Sequence, residues 1–156
     1  MQLESFALEK GCTYLIKEKI PNRAYRIFSE AINQGARGLI VTRIYPPKLK
    51  NRYEIRDSVI YWLTNVRMDI AIRPKDLEEL SFKLEKFILA NEGAIIIIDG
   101  LEYMITNNDF TTVLKFVQSL RDQVAIKNAI LLISFNPLTV EPHNLKLLEE
   151  EADYII

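Results

Sequence analysis

An aspartate stands directly after the most apolar run of this sequence. The run, residues 94–98, reads Ala-Ile-Ile-Ile-Ile, and Asp99 follows it. A continuous apolar, β-branched run predicts a central strand that is covered on both faces. Such a strand carries the Asp99 carboxylate at its tip, where a Walker B carboxylate holds Mg²⁺, so Asp99 is a candidate metal ligand. The competing interpretation is that this carboxylate accepts hydrogen bonds from the following turn or caps it.

The phosphate cradle that accompanies a Walker B carboxylate is missing from the sequence. A P-loop reads G-x-x-x-x-G-K-[ST], because its glycines let backbone N–H groups approach phosphate and its lysine supplies charge. None of the five glycines precedes a Lys-Ser or Lys-Thr pair, and residues 17–23, after the first predicted strand, contain no glycine and carry Glu18. The sequence therefore argues against ordinary nucleotide hydrolysis, and we expect no cofactor apart from the Mg²⁺ considered at Asp99.

Other polar residues follow the predicted strands. Glu102 lies three residues after Asp99, and paired carboxylates can divide acid and base roles. No His or Lys lies close in sequence to complete a catalytic set, and Gly100 predicts a tight turn. Arg43 follows the second predicted strand, where it is placed to pair with Asp99 or to bind an anion. Ligands bind at the carboxyl ends of parallel strands. The ligand-binding candidates are therefore Arg43, Asp99, Glu102 and Ser134.

The densest basic stretch of the chain covers residues 43–56. Its lysines and arginines are interleaved with two tyrosines and a single acid, a pattern that can follow a phosphate backbone and stack bases. The Pro46-Pro47 pair predicts a surface loop here. The alternative is a solvated loop whose charges meet the acidic half of the chain or a partner. The candidates for nucleic-acid or partner contact are Lys48, Lys50, Arg52 and Arg56.

Short apolar runs alternate with amphipathic stretches along the whole chain. This alternation predicts an α/β three-layer sandwich, in which a mostly parallel sheet lies between two layers of helices. No linker or composition break divides the chain, so we expect a single domain over residues 1–156. The predicted strands are residues 12–16, 38–42, 59–63, 94–98, 129–133 and 153–156. Four helices are predicted: one begins at Pro21, one begins at Pro74, and two cover residues 110–124 and 144–150.

Composition excludes several classes of protein. One cysteine and one histidine provide neither an internal disulfide nor a structural zinc site. The N-terminus lacks the pattern of a signal peptide, and no apolar run reaches the ~20 residues that a membrane helix needs. We therefore expect a cytoplasmic protein without membrane contact of its own.

The net charge of −1 conceals two halves of opposite sign. Residues 1–75 carry 14 Lys and Arg against 7 Asp and Glu, whereas residues 76–156 carry 6 against 14. Such halves neutralise each other within one copy or pair between copies. Near-neutrality therefore does not exclude a charged partner, and we expect a protein partner or self-association.

Several segments carry a resemblance that spans residues 11–156. They read GCTYLI from Gly11, GLIVTR with Pro46 after it, YWLT from Tyr61, IIDGLEYMI from Ile97, and LIS with Asn136-Pro137 after it. Together they resemble the archaeal "domain of unknown function 835" family. The resemblance implies a RecA-like, P-loop NTPase-like topology related to RecA- and KaiC-type ATPases, with residues 17–23 in the place of the P-loop. It implies no established reaction.

These observations predict a non-catalytic regulatory or protein-interaction module without a functional Walker A motif. The first alternative is a small-ligand or nucleotide-binding sensor or enzyme that uses Arg43, Asp99 and Glu102. The second alternative is nucleic-acid binding through residues 43–56.

Overall fold

Parallel strands form the central layer of the structure, a computed structural model that describes residues 7–156. Within that range the sheet has seven strands in the order β4-β3-β2-β5-β6-β1-β7, and every neighbouring pair is parallel. The strands are β1 (Thr13–Lys17), β2 (Arg37–Thr42), β3 (Ser58–Leu63), β4 (Ala71–Ile72), β5 (Ala94–Ile98), β6 (Ile130–Phe135) and β7 (Tyr154–Ile155).

Helices cover both faces of the sheet. Two helices pack on one face and four on the other, as the two apolar clusters of the core record. The first face carries α1 (Asn22–Asn33) and α2 (Pro46–Tyr53), and the second carries α3 (Leu77–Ala90), α4 (Leu101–Asn107), α5 (Phe110–Ile126) and α6 (Pro142–Glu149). The α/β layered architecture predicted from the sequence is thereby confirmed.

The central strand β5 explains why the sheet needs both layers. Ile95 and Ile97 face α1 and α2, whereas Ile96 and Ile98 face α3, α4 and α5, and all four side chains are fully buried. A strand buried on both faces has no need for polar alternation, so its residues form an unbroken apolar run. The strand thus delivers Asp99 to the carboxyl edge of the sheet from a rigid support.

The structure corrects the prediction of a loop at residues 43–56. Pro46 and Pro47 occupy the first two positions of α2, which runs to Tyr53. Proline is tolerated there because the first N–H groups of a helix have no partner within the helix and because its fixed φ already suits the helix. The proline pair therefore starts regular structure instead of preventing it.

The start of one helix and two short elements also differ from the predictions. Helix α3 begins at Leu77 rather than at Pro74, because the Asp76 carboxylate accepts a hydrogen bond from the Glu79 N–H and caps the helix. Helix α4, predicted only as a turn, follows Gly100, and the two-residue strand β4 had no signal in the sequence. Both elements are too short to produce a clear periodicity.

The two oppositely charged halves of the chain interleave in the sheet. Strand β1 belongs to the basic half and lies between β6 and β7 of the acidic half, while β2 lies beside β5. At the end of β1, Lys17 forms an ion pair with Glu149 of α6. Part of the charge is therefore neutralised within one copy. Among residues 7–156, no helix is long and apolar enough to cross a membrane.

Candidate functional site

Asp99 is bound at the carboxyl edge by donors from two neighbouring elements. Its Oδ2 accepts hydrogen bonds from the Tyr25 hydroxyl on α1 and from the Thr42 hydroxyl at the end of β2, the latter at 2.7 Å. Its Oδ1 accepts a hydrogen bond from the Arg43 N–H at 3.0 Å. Both carboxylate oxygens thus accept hydrogen bonds within the chain, and the donors lie on α1 and at the end of β2 rather than in the turn that follows Asp99.

Burial governs the ionisation of Asp99 and of its donor Tyr25. Removal from water raises the pKa of the Asp99 carboxyl above its ordinary value, and the three hydrogen bonds oppose that rise. The pKa of the Tyr25 hydroxyl is raised well above its ordinary value, first by burial and then by the charge of Asp99. Tyr25 is fully buried, so its proton stays on the phenol and serves as a donor to Asp99.

A second carboxylate, that of Glu18, caps the start of α1. In P-loop proteins the segment between the first strand and the first helix holds phosphate with N–H groups at the helix start. Here Glu18 accepts hydrogen bonds from the N–H groups of Arg23 at 2.9 Å and Ala24 at 3.2 Å, in the first turn of α1. The anion that satisfies these N–H groups therefore belongs to the chain itself.

The local sequence explains why Glu18 has this role. Pro21 precedes α1 and has no side-chain oxygen with which to cap it, so the first N–H groups need another acceptor. The Glu18 N–H donates to the Phe135 carbonyl oxygen at 3.0 Å, which extends the sheet pairing beyond β1 and anchors the residue. The Ser134 hydroxyl on β6 completes the arrangement with a 2.8 Å hydrogen bond to Glu18 Oε2.

Glu102 lies at the same edge, in the first turn of α4. Its Oε2 accepts a hydrogen bond from the Asn136 N–H at 2.8 Å, which ties α4 to the segment after β6. Burial raises the pKa of the Glu102 carboxyl, the Asn136 N–H lowers it, and the nearby charge of Asp99 raises it. Glu102 and Asp99 are therefore electrostatic neighbours, as their spacing suggested.

Gly100 permits the close approach on which this edge depends. A Cβ at this position would lie 2.6 Å from Leu63 Cδ1 and 3.3 Å from the Arg43 nitrogen. Only the absence of a side chain lets the β5–α4 connection pass so close to β2 and β3. The glycine that predicted a tight turn is thus explained by close packing between neighbouring strand ends.

The Arg43 side chain points away from Asp99. Its guanidinium lies 4.1 Å from the centre of the Tyr103 ring and donates from Nη1 to the Leu63 carbonyl oxygen at 3.1 Å. The structure therefore connects Arg43 to Asp99 only through the backbone N–H of Arg43. The side chains of Asp99, Glu102 and Ser134 all have hydrogen-bond partners within the chain.

The four basic candidates separate into two pairs on the folded chain. Lys48 and Lys50 are exposed on α2, whereas Arg52 and Arg56 line an open groove of about 910 Å³ between α1 and the end of α2. Arg26 of α1 lines the opposite wall. Sequence reasoning missed Arg26, because its only signal was a polar position on an amphipathic helix.

The residues around Asp99 do not fit a magnesium site. Each Asp99 oxygen already accepts from the protein, and nothing in the part of the chain covered by residues 7–156 assembles three or more His, Cys, Asp or Glu side chains around a common point. A cation at Asp99 would compete with the donors of Tyr25, Thr42 and Arg43 for the lone pairs of this carboxylate. Sequence reasoning also missed Tyr25, because a tyrosine on the apolar face of a helix resembles an ordinary core residue.

Two solved structures share this architecture. The flagellar accessory protein FlaH from Methanocaldococcus jannaschii superposes with a TM-score of 0.65 at 15% identity, covering 98% of this chain and 73% of FlaH. A protein of Pyrococcus horikoshii OT3, known as project ID PH0250, superposes with a TM-score of 0.64 at 17% identity, covering 95% of this chain and 82% of the other. Identity this low concerns the fold alone, and the fold is RecA-like, as expected.

The remaining comparisons concern sequence. No curated protein matches this chain. Residues 17–152 match the family described as "Protein of unknown function (DUF835)", a range that includes Glu18, Asp99 and Ser134. The resemblance inferred from the sequence is therefore confirmed, and this chain belongs to the DUF835 family.

Proposed function

We propose that this chain is a nucleotide-independent regulatory module that binds a protein at the carboxyl edge of its sheet. The observation that carries the proposal is the Glu18 carboxylate on the N–H groups of Arg23 and Ala24. An anion tethered to the chain has a high effective concentration, so a free phosphate competes poorly for the same donors. Its negative charge also repels a triphosphate.

The surroundings of Asp99 support the same proposal. A carboxylate that holds Mg²⁺ beside a nucleotide offers free lone pairs to the ion, whereas three of the roughly four lone-pair sites of Asp99 accept hydrogen bonds from the protein. These bonds join β5 to β2 and to α1. In this proposal Asp99 is a structural residue that holds the strand ends in fixed positions.

Exposed apolar side chains at this edge support a protein partner. Leu138, in the segment after β6, is 91% exposed, and Ile20, in the segment after β1, is 53% exposed. Because β1 and β6 are neighbours, the two segments leave the sheet side by side. Exposed apolar groups gathered at one edge are typical of interaction surfaces. The basic side chains of Lys19, in the segment after β1, and of Arg23, in the first turn of α1, favour an acidic partner surface.

Isothermal titration calorimetry with Mg-ATP tests the nucleotide-independent part of the proposal. Calorimetry records the heat of the whole chain, so the expected result is that no saturable heat remains once the basic groove has been neutralised. Because ATP has an alternative basic groove available, the control is the double variant Arg52→Gln, Arg56→Gln. Micromolar affinity that persists in this control would overturn the proposal and favour the sensor or enzyme alternative at Arg43, Asp99 and Glu102.

Photo-crosslinking tests the interaction part. A photoreactive phenylalanine analogue replaces Leu138 in one preparation and Ile126 in another. Ile126 is a matched control because it is 68% exposed and lies at the end of α5, at the opposite edge of the sheet. Protein adducts that form from position 138 and not from position 126 support the proposal. Equal adducts, or none from position 138, contradict it.

A further inference from the structure

A polar groove lies between α1 and the end of α2, away from the Glu18 carboxylate. Its α1 wall is a stripe of polar residues at helical spacing, with Asn22, Arg26 and Asn33 among them. Its other wall carries Arg52 and Arg56. The groove measures about 910 Å³, which is enough for a small organic ligand.

Tyr53 holds the two walls of the groove together. Its ring stacks on the fully buried Tyr25 ring with a centroid distance of 4.6 Å, and its hydroxyl donates to Asn22 Oδ1 at 2.6 Å. The chain then turns at Glu54 and Asp57, which both have a left-handed backbone with φ of 42°. The turn follows α2 directly and leaves Arg56 on the same groove as Arg52. The walls are thus positioned by packing before any ligand arrives.

Arg52 and Arg56 carry the argument for an anionic ligand. Within residues 7–156, neither guanidinium forms an ion pair. The Arg52 guanidinium lies 5.9 Å from the centre of the Tyr53 ring, and its positive charge lowers the pKa of the buried Asp99 carboxyl. Each guanidinium presents five N–H donors in a planar fork that matches phosphate oxygens. Two such groups on one groove supply the donors that a single phosphate group needs.

The acidic residues of the groove restrict the rest of the ligand. Glu30 and Glu54 also line it, and their carboxylates repel a second phosphate while accepting hydrogen bonds from hydroxyl groups. The Tyr25 ring stacks on the Tyr53 ring, and the Arg52 guanidinium lies over the Tyr53 ring. Tyr53 therefore offers no free ring face on which a base could stack. A long nucleic-acid strand is therefore less suited to the groove than a small ligand with one phosphate and several hydroxyls.

We propose that the groove between α1 and α2 binds a phosphorylated sugar or a similar hydroxyl-rich phosphomonoester. Arg52 and Arg56 bind the phosphate, and Glu30 and Glu54 accept from the hydroxyls. The groove lies apart from the segments of the proposed protein-binding edge, and its test does not depend on that proposal. Tyr25 links the two places, since its ring stacks on Tyr53 of the groove and its hydroxyl donates to Asp99.

Backbone amide NMR titration tests this site. The probes are ribose 5-phosphate, ribose, inorganic phosphate and a single-stranded RNA oligonucleotide. We expect ribose 5-phosphate to shift the amide signals of residues 22–33 and 52–56, and to bind at least about tenfold more tightly than ribose or phosphate alone, because only it engages both the arginines and the carboxylates.

Charge variants locate the phosphate and control for general electrostatics. The double variant Arg52→Gln, Arg56→Gln should weaken ribose 5-phosphate binding about tenfold or more. The matched control Lys48→Gln, Lys50→Gln removes two positive charges from α2 outside the groove and should change the affinity by less than about twofold. The amide spectrum of each variant verifies that the fold is retained.

Four outcomes would overturn the assignment. They are no shifts in residues 22–33 and 52–56, phosphate binding as tight as that of ribose 5-phosphate, equal losses in the two double variants, and RNA binding that is tighter, strongly salt-dependent and lost on removal of Lys48 and Lys50. The last result would establish the nucleic-acid alternative of residues 43–56 instead.

Discussion

The Ser134 hydroxyl donates a 2.8 Å hydrogen bond to the Glu18 carboxylate and thereby joins the end of β6 to the segment after β1. The same carboxylate accepts from two N–H groups of α1. Glu18 is therefore the acceptor at which two strand ends and one helix meet. Its replacement leaves three donors without their partner at once, which makes it the most informative position for mutation.

Glu18→Ala should lower the free energy of unfolding by about 1–3 kcal/mol, because it leaves the Arg23 and Ala24 N–H groups and the Ser134 hydroxyl without an acceptor. Urea denaturation monitored by circular dichroism measures the change. Glu85→Ala is the matched control, since Glu85 is exposed on α3, and it should stay within about 0.5 kcal/mol of the wild type. If Glu18→Ala lowers the free energy of unfolding by no more than the control does, the Glu18 carboxylate does not stabilise α1.

Tyr25 and Asp99 should be energetically coupled. Tyr25→Phe removes a buried donor to Asp99, and Asp99→Ala leaves the Tyr25 hydroxyl unsatisfied in the core. In a double-mutant cycle we expect an interaction free energy of about 1–3 kcal/mol. Tyr53→Phe is the control, because it deletes an exposed hydroxyl bond and should cost only about 0.5 kcal/mol. Strict additivity of Tyr25→Phe and Asp99→Ala would contradict the bond.

The raised pKa of Glu102 predicts a definite pH dependence. The Glu102 carboxyl stays protonated to a higher pH in the folded chain than in the unfolded chain. Between the ordinary glutamate pKa of 4.5 and the raised pKa of the folded chain, the folded state therefore binds more protons than the unfolded state. Stability from this group therefore falls as pH rises through that window. Glu102→Gln keeps an acceptor for the Asn136 N–H and lacks the titration.

The measurement for Glu102 is the free energy of unfolding by urea at pH 4 and at pH 7. We expect the difference between Glu102→Gln and the wild type to shift in favour of the variant as pH rises from 4 to 7. A shift in the opposite direction would mean that the folded chain favours the ionised Glu102 carboxylate.

Gly100→Ala should destabilise the fold by about 1–3 kcal/mol, because the new Cβ would lie 2.6 Å from Leu63 Cδ1. Leu63→Ala removes the group that the new methyl meets. In the Leu63→Ala background, Gly100→Ala should therefore cost clearly less than in the wild type, which urea denaturation of the four chains measures. Equal costs in both backgrounds would place the strain elsewhere.

Local sequence patterns were sufficient to predict most of the strands and the layered architecture. The run at residues 94–98 was recognisable as a strand because a strand buried on both faces needs apolar side chains at every position. The Pro46-Pro47 pair was misleading because proline both ends and begins helices, and the sequence alone did not show that its position was the start of α2. The two-residue strand β4 depends on pairing with β3, which leaves no local trace.

The candidate site depended on tertiary structure to a greater degree. By itself the sequence established that Asp99 ends a buried strand and that the segment with Glu18 lacks a phosphate cradle. It did not pair Glu18 with Ser134, 116 residues away, or Tyr25 with Asp99, 74 residues away. A carboxylate in a loop is solvated unless another element brings donors to it. Which elements do so is decided by strand order, and strand order follows from burial of the whole sheet.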